Sequence, residues 1–233
     1  MKHPLPENES ARLAALRRYQ ILDTAPEAAY DDIVSLAAHI TDSPMAAISL
    51  IDVDRQWFKA RVGLTKFATP REQAFCAHTI LQTDVMEVED ASADTRFLDN
   101  PLVVGDPHIR FYAGAPLVTP AGEALGSVCI IDRQPRKLKP EQQDALKKLA
   151  AMVMRNLEYR KVCGELAESL AKVKTLSGLL PICSWCKKVR NDEGYWQQVE
   201  AYLKQHTDAA FTHGVCPECT RKHFPAIKVI KQD

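Results

Sequence analysis

The sequence predicts an α+β fold built on an antiparallel sheet, continued by a long helix and a small cysteine-bearing end. Three observations carry this reading. Two pairs of apolar, β-branched runs are each joined by a short polar turn, the pattern of a β-hairpin. Segments with apolar residues at helical spacing precede the first pair and follow the second. Two Cys-x-x-Cys pairs then mark a segment of roughly 50 residues, too short to fold on apolar burial alone.

The elements follow in order. Glu9 to Tyr19 carries Leu13, Leu16 and Tyr19 at helical spacing, with Ser10 as a cap. Pro26 marks a new start, and Ile33, Leu36, Ala37 and Ile40 give a second amphipathic helix that Asp42-Ser43-Pro44 ends. Met45 to Ile51 and Gln56 to Val62 read as strands around the turn Asp52-Val53-Asp54. Ala74 to Leu81 reads as a short helix and Val85 to Val88 as a short strand. Asp90 to Asp106 reads as a loop with one helical turn. Ile109 to Val118 and Ala124 to Ile131 form the second hairpin.

From Pro140 the pattern becomes a long helix uninterrupted by Gly or Pro until Gly164. A seven-residue repeat fits it. One row is Leu149, Asn156, Cys163, Leu170 and Ser177; the other is Met152, Tyr159, Leu166, Val173 and Leu180. This predicts a homodimeric coiled coil over 140–180, against the simpler alternative of a helix that packs on its own sheet and then emerges. The last residues, 226–233, are expected to be a tail.

The 233 residues carry 30 Lys and Arg against 30 Asp and Glu, so the formal charge is zero. That balance argues against a chain wholly devoted to nucleic acid. No run of about 18 apolar residues exists, and the first residues lack the apolar core of a signal peptide. The expected location is the cytoplasm, with no membrane, where the seven cysteines are thiols or metal ligands rather than disulfides.

The N-terminal part resembles a GAF domain of bacterial signalling proteins. The resemblance rests on Arg-Tyr-Gln-Ile-Leu-Asp-Thr-Ala-Pro-Glu (18–27), Ile-Ser-Leu-Ile-Asp (48–52), Arg-Gln-Trp-Phe-Lys (55–59) and Glu-Gln-Ala-Phe-Cys-Ala-His-Thr-Ile (72–80). It continues through Asp-Thr-Arg-Phe (94–97), Ile-Arg-Phe-Tyr-Ala-Gly-Ala-Pro-Leu (109–117) and Leu-Gly-Ser-Val-Cys-Ile-Ile-Asp (125–132). It covers about residues 5–160. It implies a six-stranded antiparallel sheet with helices on one face, a ligand-sized pocket on the other and a role in signal transduction. The end of the chain (176–190, 194–196 and 213–219) resembles a short cysteine-containing tail found after sensor and receiver domains in bacterial signalling proteins.

The sharpest chemical signal is the set Cys183, Cys186, Cys216 and Cys219, with about 29 residues between the pairs. Two such turns can close four thiolates around structural zinc in a module over 181–225. An iron–sulfur cluster uses the same donors, and His213 or His223 can replace a thiolate. Tyr195, Trp196, Tyr202, Phe211 and Phe224 are expected to form the mini-core around the metal. Lys187, Lys188, Arg190, Arg221 and Lys222 read as a charge-balancing face more readily than as a nucleic-acid surface.

In the GAF part, Phe75, Cys76, His78, Arg96, Arg110, Tyr112, Ser127 and Cys129 are the candidate pocket residues. Bilin-binding GAF domains attach the pigment through a Cys followed directly by His; Ala77 intervenes here. The cyclic-nucleotide signature of the family is also not evident. Arg96 and Arg110 suit an anionic ligand at the pocket mouth, or else an Asp94–Arg96 lock holds the loop. Free methionine sulfoxide reductases are GAF enzymes with pocket cysteines, so Cys76 and Cys129 are candidates for thiol chemistry, although their local sequences do not match that pattern. The expectation is therefore a sensory protein that is not an enzyme, with a small ligand or a signalling partner. The alternatives are a thiol reductase and a metal–thiolate redox sensor.

Overall fold

The computed structural model describes residues 5–174 (backbone only for 171–174), 181–191, 193–206, 210–212 and 214–224. The chain divides into two compact units, Met1–Glu165 and Leu166–Asp233.

In the first unit, α1 (Glu9–Arg18) and α2 (Ala28–Thr41) lead into β1 (Met45–Ile51), β2 (Arg55–Val62) and β3 (Ala68–Pro70). A 3₁₀ turn at Arg71–Gln73, α3 (Cys76–Thr79), β4 (Met86–Val88) and α4 (Pro101–Val104) form the middle. The hairpin of β5 (Phe111–Val118) and β6 (Ala124–Asp132) precedes α5 (Pro140–Lys174). The strands make one six-stranded sheet in the order β3-β2-β1-β6-β5-β4, and every neighbouring pair is antiparallel.

Successive strand residues point to opposite faces, and here both faces are covered. Ile48, Leu50, Phe111 and Val128 turn toward Leu16, Ile33 and Val34 and toward Leu146, Val153 and Leu157 of α5. Met45, Ala47, Ile51, Tyr112, Cys129 and Ile131 turn the other way, against Phe75, Ile80, Phe97 and Val103. Each Val, Leu, Ile, Phe or Met side chain among them, fully buried, contributes about 1.5–3 kcal/mol. Gly126 is required where β1 and β6 touch, since a Cβ there would lie 1.9 Å from the Ser49 carbonyl oxygen.

Buried charge ties the helices to the sheet. Arg12 is fully buried; its Nη1 donates to the Ile51 carbonyl at 2.7 Å, and its Nε and Nη2 donate to Glu9. Arg71 donates to the same Glu9 carboxylate and to the Asp52 carbonyl. Burial pushes the Glu9 carboxyl up, but the two guanidinium groups outweigh it and hold it at about 2. Lys59, equally buried, donates to Thr24, the Ala25 carbonyl and Glu27, and Arg160 of α5 reaches the same Glu27.

Several expectations are corrected. Ser10 lies inside α1 and Asn8 takes the cap position, without a side-chain cap bond. Leu36 and Ile40 are exposed, because Tyr30, Val34 and Thr41 define the buried face of α2. Strand β3, only three residues with a Pro, carries no periodic pattern and escaped the sequence reading. On α5 the sheet takes Leu146, Leu149, Ala150, Val153 and Leu157, a stripe that follows 3.6-residue spacing rather than the heptad rows. Asn156 is half-buried, while Met152, Tyr159, Cys163, Leu166 and Leu170 are exposed. Ser177 and Leu180 lie outside the described residues, and the Val173 side chain is likewise not described.

The second unit holds a two-stranded ribbon of β7 (Val189–Arg190) and β8 (Trp196–Gln197), followed by α6 (Val199–His206) and α7 (Pro217–His223). Of the expected mini-core only Tyr202 is buried, stacked on His206 at 4.1 Å. Tyr195, Trp196, Phe211 and Phe224 are exposed. His213 and the tail 226–233 lie outside the described residues.

Candidate functional site

On the face of the sheet opposite the long helices lies a cavity of about 120 Å³. Its floor is apolar, with Phe58 of β2, Phe75, Ile109, Tyr112 of β5 and Ile131 of β6. Gln56 and Thr69 add polar groups, and Lys66, Asp106 and Arg133 stand at its edge. The Thr69 hydroxyl is buried and has no hydrogen-bond partner in the protein. Phe75 is fixed by stacking on Phe97 at 4.0 Å and by a tilted contact with Tyr112 at 5.1 Å.

Cys76 forms part of the wall, and the cluster behind it is polar. The Gln56 amide and the Tyr112 hydroxyl each donate to Cys76 Sγ at 3.3 Å, and Cys129 Sγ lies 3.7 Å away. Ser49 and Ser127 pair directly across β1 and β6, and Gly114 pairs with Cys129 across β5 and β6. That register puts the two hydroxyls and the Cys129 thiol on one face, and α3, packed on that face, brings the Cys76 thiol against them. Both serine hydroxyls are buried and make no hydrogen bond of normal geometry. Both lie near enough to Cys76 to favour a thiolate there.

Gly114 makes room for this arrangement. A Cβ at that position would sit 2.3 Å from the Tyr112 hydroxyl, which reaches over it to Thr79 at 2.7 Å and to Cys76. The two thiols titrate as a pair. Burial pushes the Cys76 thiol up, but hydrogen bonding from Cys129, Ser127, Ser49 and Tyr112 brings it below the ordinary thiol value. Cys129 is pushed up, first by its bond to Cys76 and then by burial. The first proton therefore leaves Cys76.

Of the eight pocket candidates, Phe75, Cys76 and Tyr112 line the cavity, and Ser127 and Cys129 stand directly behind Cys76. Three lie elsewhere. His78 packs edge-on to Phe97 at 4.9 Å. Arg96 is paired with Asp94 at 2.6 Å, and Arg110 donates to the carbonyls of Val103 and Ile109. Both arginines hold the long loop, so the lock describes them better than an anion-binding mouth. Gln56, Phe58, Thr69 and Ile131 were missed. Their strands are covered on both faces, so no polar alternation singles out the side that carries the cavity.

In the second unit each Cys-x-x-Cys pair forms a turn. The amide of Cys186 donates to Cys183 Sγ, and that of Cys219 donates to Cys216 Sγ, both at 3.5 Å. Lys187 takes a left-handed conformation (φ 61°) just after the first pair, and Cys216 caps α7. Each turn thus suits half of a four-thiolate set. The expected centre is not assembled, however. Among the described residues no three His, Cys, Asp or Glu side chains gather closely enough to hold one metal ion.

Over residues 25–157 the chain matches the GAF domain family. It is 45% identical over 152 residues to a cyclic di-GMP phosphodiesterase of Pseudomonas aeruginosa, an alignment that covers 65% of this chain and 26% of that protein. The chain thus spans about a quarter of that relative's length. Among solved structures it is similar to the GAF domain of an Acinetobacter phosphoenolpyruvate-protein phosphotransferase (16% identity, 66% and 95% of the two chains covered, TM-score 0.49). It is also similar to a free methionine-R-sulfoxide reductase of Neisseria meningitidis (14% identity, 70% and 99% covered, TM-score 0.49). The expectation that the protein is not an enzyme is corrected by the relative named as a phosphodiesterase. No helix among the described residues is long and apolar enough to cross a membrane.

Proposed function

The chain belongs to the GAF domain family, and from that premise we propose that it is a sensory and regulatory protein of cyclic di-GMP signalling whose input is a small ligand bound in the cavity beneath the sheet. The observation that carries this is the cavity itself, which has an aromatic floor, a buried Thr69 hydroxyl without a partner, and Lys66, Asp106 and Arg133 at its edge. A space of about 120 Å³ is well below the ~300–1,000 Å³ of drug-sized sites, and suits a ligand on the order of ten heavy atoms. A cyclic dinucleotide is far larger, so in this reading the dinucleotide is what the signal controls rather than what the cavity holds. The favoured ligand has a flat apolar body, a hydrogen-bonding group for Thr69 or Gln56 and an anionic end for Lys66 or Arg133.

Ile131→Trp should fill the cavity. Small aromatic acids are expected to raise the melting temperature of the native chain and not of this variant. Equal shifts in both proteins would refute the reading. In cells, deletion of the gene should change the cyclic di-GMP level, and the Ile131→Trp form should fail to restore it.

Two further parts complete the proposal. On α5 the exposed Tyr159 and Leu166 of one heptad row and Leu170 of the other pair with the same residues of a second copy, giving a homodimer. The two Cys-x-x-Cys turns close on one zinc ion that staples the second unit. The support is the matching N–H to sulfur turn in each pair. About one zinc per chain by elemental analysis is the expected result, and iron with visible absorption would replace zinc by a cluster.

A further inference from the structure

Cys76 is a buried sulfur ringed by groups able to donate hydrogen bonds. Two donate to it directly, from Gln56 and Tyr112 at 3.3 Å. Two more, the Ser49 and Ser127 hydroxyls, are fully buried close to it and make no hydrogen bond of normal geometry. A buried hydroxyl left unpaired costs about 1–3 kcal/mol, so two around one thiol call for an explanation. A neutral thiol offers little to four donors. A thiolate, or the oxygen of an oxidised sulfur, uses them all.

The second thiol, Cys129, lies at 3.7 Å, and the cavity gives Cys76 a face toward small molecules. A metal centre needs further ligands, and no third His, Cys, Asp or Glu side chain gathers with this pair among the described residues.

We propose that Cys76 and Cys129 form a redox pair, oxidised by a hydroperoxide small enough to enter the cavity. The Cys76 thiolate attacks the terminal peroxide oxygen. The O–O bond breaks, the leaving alkoxide or hydroxide takes up the proton that Cys76 released on ionising and departs as alcohol or water, and Cys76 becomes a sulfenic acid that keeps the peroxide's own proton. Its oxygen takes the hydrogen bonds of Ser49 and Ser127. The Cys129 sulfur then attacks the sulfenic sulfur. The S–O bond breaks, water leaves with the Cys129 proton, and a Cys76–Cys129 disulfide remains. Two thiols have lost two electrons and one peroxide has gained them. The order of the steps follows the titration of the pair, since Cys76 is the thiol that ionises first. Closing the pair draws Cys76 toward β6 and reshapes the cavity wall, which couples oxidant to ligand. The inference uses the cavity as the route of entry and does not rest on the small-ligand reading.

The test treats the reduced full-length chain with hydrogen peroxide, blocks remaining thiols and maps the peptides by mass spectrometry. The expected product is a Cys76 peptide linked to a Cys129 peptide, released by dithiothreitol. Exposed Cys163 is the internal reference, and Cys76 should react at least ~10-fold faster. Cys129→Ala should trap Cys76 as a sulfenic acid that dimedone captures. Tyr112→Phe should slow Cys76 several-fold while leaving Cys163 unchanged. Cys76 remaining a free thiol while Cys163 oxidises would overturn the proposal, and Cys76 oxidised without ever linking to Cys129 would overturn the pair. If Cys129→Ala fails to fold, the linkage in the native chain decides alone. A Cys76–Cys129 disulfide formed in a native chain whose melting temperature no small aromatic acid raises would separate this inference from the ligand reading.

Discussion

Between Met1 and Glu165 two apolar layers clasp a sheet from both sides, whereas between Leu166 and Asp233, among the described residues, only Val189 and Tyr202 are buried apolar side chains. Trp185, placed between the first two tail cysteines, is 94% exposed. The first unit is the kind of structure that burial alone sustains. Among its described residues the second has several turns and short helices and almost no interior, which leaves little burial to sustain their order. In the proposed reading that order comes from coordination, and the contrast between the units becomes measurable.

The largest expected effect lies in the second unit. Metal binding to thiolate sets of this kind is worth about 10 kcal/mol or more. A strong chelator, or Cys216→Ala, should abolish protease resistance after Leu166 while the melting of the first unit stays unchanged. Retention of a protected tail fragment without metal would dissolve the comparison. In the first unit the corresponding break is Phe111→Ala, a fully buried residue of β5, expected to cost about 3–5 kcal/mol and to lower its thermal midpoint only.

Glu9→Gln comes next, at about 3 kcal/mol, because it leaves two buried guanidinium groups facing a neutral amide. The same carboxylate sets an acid limit. Its folded pKa, about 2, lies below the ordinary 4.5. Its contribution is therefore complete above about pH 4.5 and is lost as the pH falls toward 2. Chemical denaturation between pH 6 and pH 3 should show the native chain weakening where Glu9→Gln does not follow in proportion. Gly114→Ala is smaller, about 1–3 kcal/mol, because the new methyl group displaces the Tyr112 hydroxyl. It should also remove the hydrogen bond to Cys76, visible as slower alkylation of that thiol. The least effect on stability, within ~0.5 kcal/mol, is expected from Leu166→Lys with Leu170→Lys, both exposed. Their consequence should be a monomer by light scattering where the native chain is a dimer.

Much of the first unit was legible because its signals are local. Met45 to Ile51 is read and found as a strand, and so are the two hairpins and the long helix from Pro140. The candidate site was half legible. Phe75, Cys76 and Tyr112 came from the family resemblance, but 53 residues separate Cys76 from Cys129, and only the packing of α3 on β6 sets them side by side. Arg96 and Arg110 look from sequence like anion ligands, because nothing local shows that Asp94 and two loop carbonyls already occupy them. The heptad rows and the buried stripe overlap in the sequence. Leu149 belongs both to a heptad row and to the stripe that meets the sheet, and a 3.5 repeat drifts only slowly from a 3.6 one.

The centre of the sheet has a consequence for how the chain is made. Strand β1, Met45–Ile51, is apolar or small throughout and is flanked by β2 on one side and β6 on the other. The first neighbour is available within a few residues. The second ends at Asp132, so during synthesis one side of β1 waits on the order of ten seconds for its mate. Through that interval the nascent chain carries an open, uncharged strand edge, a ready template for pairing with another chain. The moment at which this protein most needs a chaperone is therefore expected to fall before residue 132 leaves the ribosome, and a pause placed just upstream of that point should cost more soluble product than one placed after it.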